Sequence, residues 1–424
     1  MSAAEKLGKI VENRLGSDPD KARGWLRAGW EAENVLFHIA PHRELLPADR
    51  YLQQLMMGTM LAPLRHPEES AMVSIFVPCE LLQEAELIPY SPEAFSCYLS
   101  ASFCESCLIQ KTEETGISDT LCSYHRTFLG AAESGLLKAP KCVVYTNVTC
   151  DANLLTFRRM AEHYGVPSFY LEVPMTVSEA SVDFVEKQMR DLKSFLERTT
   201  GKTISESALC DRVARSKLSL ETFRLVQQKK ADKYIPTDLV TPFYSALTGN
   251  LLLGSPEEEK YVEMALGDVQ RAEKKKGKHI YWMHTIPFYS DAVKEKFLFR
   301  EEAQIVGDEL SQVCTADFDP ENPYRAMAKR LVTNAMNGPS RRRIDNGIRN
   351  AKDAGADGVI WFNHWGCKHT LGTAEIARRR FEEAGIPALV IDGDGCDRSK
   401  EGEGQISTRI GAFLEMLDRK EGRA

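Results

Sequence analysis

No stretch of this 424-residue sequence approaches the roughly 20 consecutive apolar residues that a bilayer-crossing helix needs. The N-terminus, Met1-Ser-Ala-Ala-Glu-Lys6, has no basic segment leading into an apolar one, so no secretory signal is expected. The expectation is a cytoplasmic protein with no membrane partner. Excess basic charge is also missing. Lys and Arg number 54 against 61 Asp and Glu, a formal net charge of −7, which speaks against nucleic acid as a partner. There is no GxxxxGK[ST] loop and no GxGxxG turn, so nothing suggests that the chain hydrolyses ATP itself. Cys104-Glu-Ser-Cys107 has no matching second CxxC, which disfavours a zinc ribbon, and no strand clearly leads into it as a redox dithiol would require. Asp392-Gly-Asp-Gly-Cys-Asp397 lacks the later glutamate of a calcium loop and reads as a turn.

The rest is ordinary globular material, 43% hydrophobic and 27% charged, long enough for two or three domains. Cysteine is the informative residue. There are eleven, an odd number, and a reducing setting disfavours a disulfide framework. Such cysteines are packing residues, metal ligands or reactive thiols, and at least half should simply be small buried hydrophobes.

The pattern along the chain predicts an α/β fold with two Rossmann-like lobes of parallel sheet, a helical N-terminal segment and a helical connector. Residues 1–70 read as helical, with Trp25, Trp30, Leu52 and Met56 as apolar anchors. The first lobe spans 71–180, with strands at Ala71–Pro78, Cys142–Asn147 and Ser168–Val173 and a helix ending at Gly165. The connector spans 181–277. One helix there places Phe184, Met189, Leu192 and Leu196 on an apolar face, and another opens at Pro256 and closes on Lys274–Lys276. The second lobe spans 278–424, with strands at His279–Met283, Gly358–Phe362 and Ala388–Asp392 and a terminal amphipathic helix from Ile406 to Leu417.

The two lobes resemble each other. Val143-Val-Tyr-Thr-Asn-Val-Thr-Cys150 leads to a helix and then Gly165-Val-Pro. Val359-Ile-Trp-Phe-Asn-His-Trp-Gly-Cys367 leads to a helix and then Gly385-Ile-Pro. Each cysteine falls just past the carboxyl end of a strand, where open parallel sheets bind ligands. Thiolates are soft ligands for iron–sulfur clusters, zinc or Cu(I). A helix beginning after each cysteine would favour the thiolate. Cys122, in Asp119-Thr-Leu-Cys-Ser-Tyr-His-Arg126, is a third candidate, with Asp119 and Ser123 as cap-like residues of the next helix. His364, three residues before Cys367, is a candidate proton donor or a donor to a sulfur, with a structural loop role equally open. Arg341–Arg343 and Arg378–Arg380 could meet the phosphates of a CoA-type substrate or simply be solvated.

Asp357-Gly-Val-Ile, Cys367, Gly385-Ile-Pro and Gly404-Gln-Ile-Ser-Thr-Arg-Ile-Gly-Ala-Phe-Leu-Glu415, with the Cys122 and Thr149-Cys150-Asp151 segments, resemble the 2-hydroxyacyl-CoA dehydratase family. That family is similar to benzoyl-CoA reductase subunits and double-cubane cluster proteins. The resemblance covers roughly residues 70–420. It implies a [4Fe–4S] cluster between the lobes on Cys122, Cys150 and Cys367, with one iron left open. It implies a paralogous subunit, or a second copy in a homodimer, and an acyl-CoA substrate. A separate ATP-dependent activator iron–sulfur protein would inject one electron, and a ketyl radical would expel the hydroxyl. The extra cysteines 79, 97, 104 and 107 depart from that plan. They keep open a homodimeric reductase of small molecules carrying an [8Fe–9S] double cubane, with Cys104 and Cys107 the first candidates for the second cubane. A non-catalytic electron carrier is the third reading.

Overall fold

The computed structural model describes residues 1–400 and 402–421. Its frame is two four-stranded sheets in which every pairing is parallel. The first contains β1 (Ser70–Val73), β2 (Ile88–Tyr90), β3 (Cys142–Thr146) and β4 (Ser168–Leu171) in the order β2-β1-β3-β4. The second contains β5 (Lys278–Met283), β6 (Ala303–Asp308), β7 (Gly358–His364) and β8 (Ala388–Gly393) in the order β6-β5-β7-β8. The two orders are the same. In each sheet the chain first steps outward to one edge, then returns beside its starting strand and steps to the other edge. The order therefore reverses between β1 and β3, and between β5 and β7, which places a crevice at the carboxyl ends of those strands.

The central strands read as unbroken apolar runs because both faces are covered. In the second sheet Ile280, Trp282, Ile360, Phe362 and Ile391 face Ile410, Phe413 and Leu417 of the final helix, Glu403–Glu421. Tyr281, Met283, Val359 and Trp361 face the other way, against Ile344 and Phe381. The alternation follows from the period-2 geometry of a strand.

Two of the four edge strands, β2 and β6, escaped the sequence pattern. β2 is three residues long and contains Pro89, tolerable only where an N–H is not needed by a neighbour. β6 carries Gly307 and was likewise not recognised. Conversely, β1 stops at Val73, and Ile75–Val77 form a turn instead of extending the strand.

The N-terminal helices, Ala3–Leu15, Pro19–Ile39 and Pro47–Arg65, match expectation. Ser2 and Glu5 form a capping box, and Asp18 caps the second helix. Trp30, Leu52 and Met56 enter the core, but Trp25 stays half exposed. The connector helices Glu179–Thr200, Glu206–Lys229 and Pro256–Arg271 start at Ser178, Ser205 and Ser255, whose hydroxyls accept first-turn N–H groups. Met189, Leu192 and Leu196 are buried, yet Phe184 is exposed and Val185 takes the inward position. The Pro256 helix ends at Arg271. Lys274 lies beyond it in a bridge with Lys233, and Lys275 pairs with Asp357 at 2.7 Å. The lysine run thus ties strands and loops together and is not a helix end. Residues Leu310, Val313, Tyr324, Met327 and Leu331, although they follow β6 in sequence, pack into the large core built on the first sheet. Among the described residues, no helix is long and apolar enough to cross a membrane.

Candidate functional site

Three elements bring thiols to the interlobe crevice. The loop after β3 carries Cys150, the loop after β7 carries Cys367, and Cys122 precedes the helix Ser123–Glu133. All three are partly exposed, while Cys79, Cys97, Cys104, Cys142 and Cys396 are buried. Gly366 allows the close approach of the lobes. It has φ +78°, and a Cβ there would lie 2.8 Å from both the Cα and the N of Cys122. Only glycine fits that backbone contact.

The three thiols sense one another. Burial pushes the Cys122 thiol well up, and the facing Cys367 and Cys150 push it further. Burial, then Cys367, raises Cys150 to about 12. The N–H groups of Ala152 and Asn153 at the following helix oppose this but lose to desolvation. The helix-terminus effect expected from the sequence is therefore outweighed. After Cys367 the helix Lys368–Leu371 is a single turn, too short to contribute much of a dipole. Two desolvated thiols that also face Cys367 can become thiolates only if a cation balances them.

The donor set fits an iron–sulfur cluster better than a single ion. Among the described residues, the one trio of His, Cys, Asp or Glu with all ligand atoms within 4.8 Å is exposed His66, Glu68 and Glu69. The three cysteine sulfurs are spaced more widely, as suits ligands that each bind a different iron of one cluster.

Each sulfur also faces an imidazole Nε2. Cys122 Sγ lies 3.2 Å from His364, Cys150 Sγ 3.8 Å from His125, and Cys367 Sγ 3.6 Å from His284. His364 closes β7 and is fully buried. The Gly395 N–H donates to its Nδ1 at 3.0 Å, so the ring proton sits on Nε2 and points at Cys122. His284 is the first residue after β5 and sits at φ +75°. Burial first, then nearby positive and imidazole groups, depresses its pKa. Burial lowers His125 to about 3. His364 was anticipated from sequence, but His125 and His284 were not. His284 had a usable signal, since it follows the carboxyl end of a central strand just as the two loop cysteines do. His125 had none, because its partner is Cys150 and not the neighbouring Cys122.

Other sequence candidates fall elsewhere. Cys104 Sγ donates to Ser102 O at 3.5 Å and Cys107 Sγ to Cys104 O at 3.3 Å, and neither hydrogen-bonds one of the three site cysteines. Ser123 does not cap its helix. Its hydroxyl donates to Asp394 at 2.5 Å, and no side chain caps the helix. Asp394 also accepts the Cys396 and Asp397 N–H groups, so Asp394–Asp397 form the expected turn, while Asp392 and Gly393 still belong to β8. The arginine clusters are engaged within the chain. Arg343 is buried against Glu309, Arg378 and Arg379 pair with Glu375, and Arg380 pairs with Asp345.

The chain matches the family model of the 2-hydroxyglutaryl-CoA dehydratase D-component over residues 74–417. It is 22% identical over 338 residues to the (R)-phenyllactyl-CoA dehydratase alpha subunit of Clostridium sporogenes, covering 74% of this chain and 81% of that one. It is 24% identical over 315 residues to the beta subunit of the same enzyme, covering 70% and 80%. It is 22% identical over 367 residues to the (R)-2-hydroxyisocaproyl-CoA dehydratase alpha subunit of Clostridioides difficile, covering 82% and 90%.

Proposed function

The chain belongs to the family of the 2-hydroxyglutaryl-CoA dehydratase D-component, and from that premise we propose that Cys122, Cys150 and Cys367 hold a [4Fe–4S] cluster for the elimination of water from an (R)-2-hydroxyacyl-CoA thioester. The observation that carries the reading is that Cys150 and Cys367, each at a sheet-order reversal of its own lobe, face Cys122 at the start of the Ser123–Glu133 helix. When bound, the cluster supplies one-electron chemistry at an iron that the three thiolates leave open. The chain's own residues bind and shield it. Gly366 lets the lobes close over it, and His364 turns its Nε2–H to the Cys122 sulfur. That geometry favours His364 as a donor to a ligand over a proton donor to substrate.

The electron would come from an ATP-dependent activator iron–sulfur protein, since this chain has no phosphate-binding loop of its own. A paralogous subunit is the proposed permanent partner, because the relatives are alpha and beta subunits. The double-cubane alternative draws no support from Cys104 and Cys107, whose sulfurs are turned to carbonyls of their own segment.

Anaerobic iron and sulfide analysis tests the reading. About four irons with matching sulfide per chain are expected. The Cys150→Ala variant should retain almost none while keeping its fold. One zinc without sulfide would overturn it.

A further inference from the structure

We propose that His125, His284 and His364 form a shell of N–H donors, one per cysteine sulfur, which raises the reduction potential of the cluster and eases its acceptance of an electron. The inference rests on the three-cysteine reading above and goes beyond it.

Its first support is the one-to-one pattern. Of nine histidines in the sequence, three present Nε2 to the three candidate ligand sulfurs at 3.2, 3.8 and 3.6 Å. Sulfur is large and polarisable, and contacts of this length to it are hydrogen-bonding distances.

The second support is that every ring is anchored through its other nitrogen. His364 Nδ1 accepts the Gly395 N–H at 3.0 Å, which by itself fixes the proton on Nε2. His125 Nδ1 lies 2.9 Å from the Thr156 hydroxyl, and His284 Nδ1 lies 3.1 Å from that of Thr285. A hydroxyl donates or accepts by rotating. The Thr156 proton has two claimants, His125 Nδ1 and Ala152 O, both at 2.9 Å. With Cys150 as a thiolate ligand, the imidazole proton belongs on Nε2 and the hydroxyl turns to Nδ1. Second-sphere partners of this kind fix both orientation and tautomer.

The third support is that the backbone holds one ring at a cost. His284 occupies the left-handed region, at φ +75°. Its N–H donates to Glu309 Oε2 at 3.0 Å, and Glu309 is locked by Arg343 in a buried pair. A strained residue whose side chain ends on a ligand sulfur is placed there by the surrounding structure.

The effect follows from electrostatics. Each N–H dipole withdraws negative charge from a sulfur. The reduced cluster carries one more negative charge than the oxidised one, so it gains more from the same donors. Hydrogen bonds to sulfur are one of the protein's levers on cluster potential.

The test is a potentiometric titration, followed by paramagnetic resonance, of the anaerobically loaded full-length protein. Removing the shortest contact in His364→Leu should lower the reduced-to-oxidised ratio at a fixed potential by about tenfold, equal to about 59 mV for one electron. His364→Gln, whose amide can still donate, should recover part of that. His125→Leu and His284→Leu should give smaller falls in the same direction. Variants with wild-type iron content and an unchanged potential would overturn the proposal. A second measurement needs no iron. Long-range proton–nitrogen correlation on the metal-free chain should show His364 protonated on Nε2, and protonation on Nδ1 would overturn the shell. Wild-type protein that binds no iron would instead remove the three-cysteine reading, so the two failures are distinguishable.

Discussion

The two lobes share one strand order, yet they equip the crevice differently. After β1 the first lobe has Ser74, whose hydroxyl accepts the Thr146 N–H at 3.1 Å and merely ties two strands together. After β5 the second lobe has His284, which faces Cys367. At the carboxyl end of the central strand of each lobe, Asn147 and Asn363 do equivalent work. Asn147 bridges to the Val173 backbone, and Asn363 donates to Asp392. The next residue is Val148 in the first lobe and His364 in the second. The first lobe therefore supplies two thiols and one imidazole, and the second supplies one thiol and two imidazoles. The cross-lobe pair Cys122–His364 is the shortest of the three. A repeated scaffold has been given complementary halves of one site, which is why neither lobe could be expected to assemble it alone.

Each half also buries an ion pair, and these offer the largest perturbation. Arg330 meets Glu80 at 2.6 Å in the first core, with both side chains at 6% exposure or less. Arg343 meets Glu309 at 2.5 Å in the second, at 2% or less. Removing one partner leaves an uncompensated buried charge, a loss of about 3–5 kcal/mol. Arg330→Met and Arg343→Met should therefore lower the free energy of unfolding in denaturant by similar amounts. Their effects on the site should differ. Glu309 receives the His284 N–H, and Arg343 donates to His369 O at 2.7 Å, so Arg343→Met alone should also weaken iron retention. Equal iron loss in both variants would erase the contrast between the lobes.

The scaffold was more legible in the sequence than the shell around the cysteines. β3 and β7 declared themselves because central strands covered on both faces carry unbroken apolar runs. Cys150 and Cys367 were legible from position, as residues following such strands. Of the edges, β4 and β8 were legible, but β2 was not, because it is only three residues long and holds Pro89. Phe184 misled for a related reason. Helical spacing marks a stripe but does not say which flank of it faces inward, and Val185 took that place. His125 was invisible because its pairing with Cys150 depends on how the Ser123–Glu133 helix sits against the β3 loop.

Counted from Asn147 and Asn363, the segment leading to Cys367 is one residue longer than that leading to Cys150, and its Gly366 can be tested next. Its φ of +78° and the 2.8 Å approach of a Cβ to the Cys122 backbone leave an alanine no room to yield. Gly366→Ala should cost about 2 kcal/mol, the left-handed penalty with some displacement added. It should also cut iron retention, because the shift pushes Cys367 away from Cys122. Wild-type iron content in this variant would show that the lobes close by another contact.

The smallest expected effect is where the lobes should agree. Gly165 and Gly385 each follow a helix and precede Val-Pro or Ile-Pro, with φ of +63° and +84°. A Cβ at either position meets no atom within 4 Å, so only backbone strain separates alanine from glycine. Gly165→Ala and Gly385→Ala should each destabilise by about 1 kcal/mol, read as a shift in the denaturant midpoint with the slope unchanged. Neither should alter iron content, since both glycines lie at the far end of their helices from the cysteines. Two equal shifts would show that the halves of the repeat diverged at the crevice and not in the helix-to-strand turns behind it. A several-fold larger loss at one of them would mean that the turns, too, had become different structures.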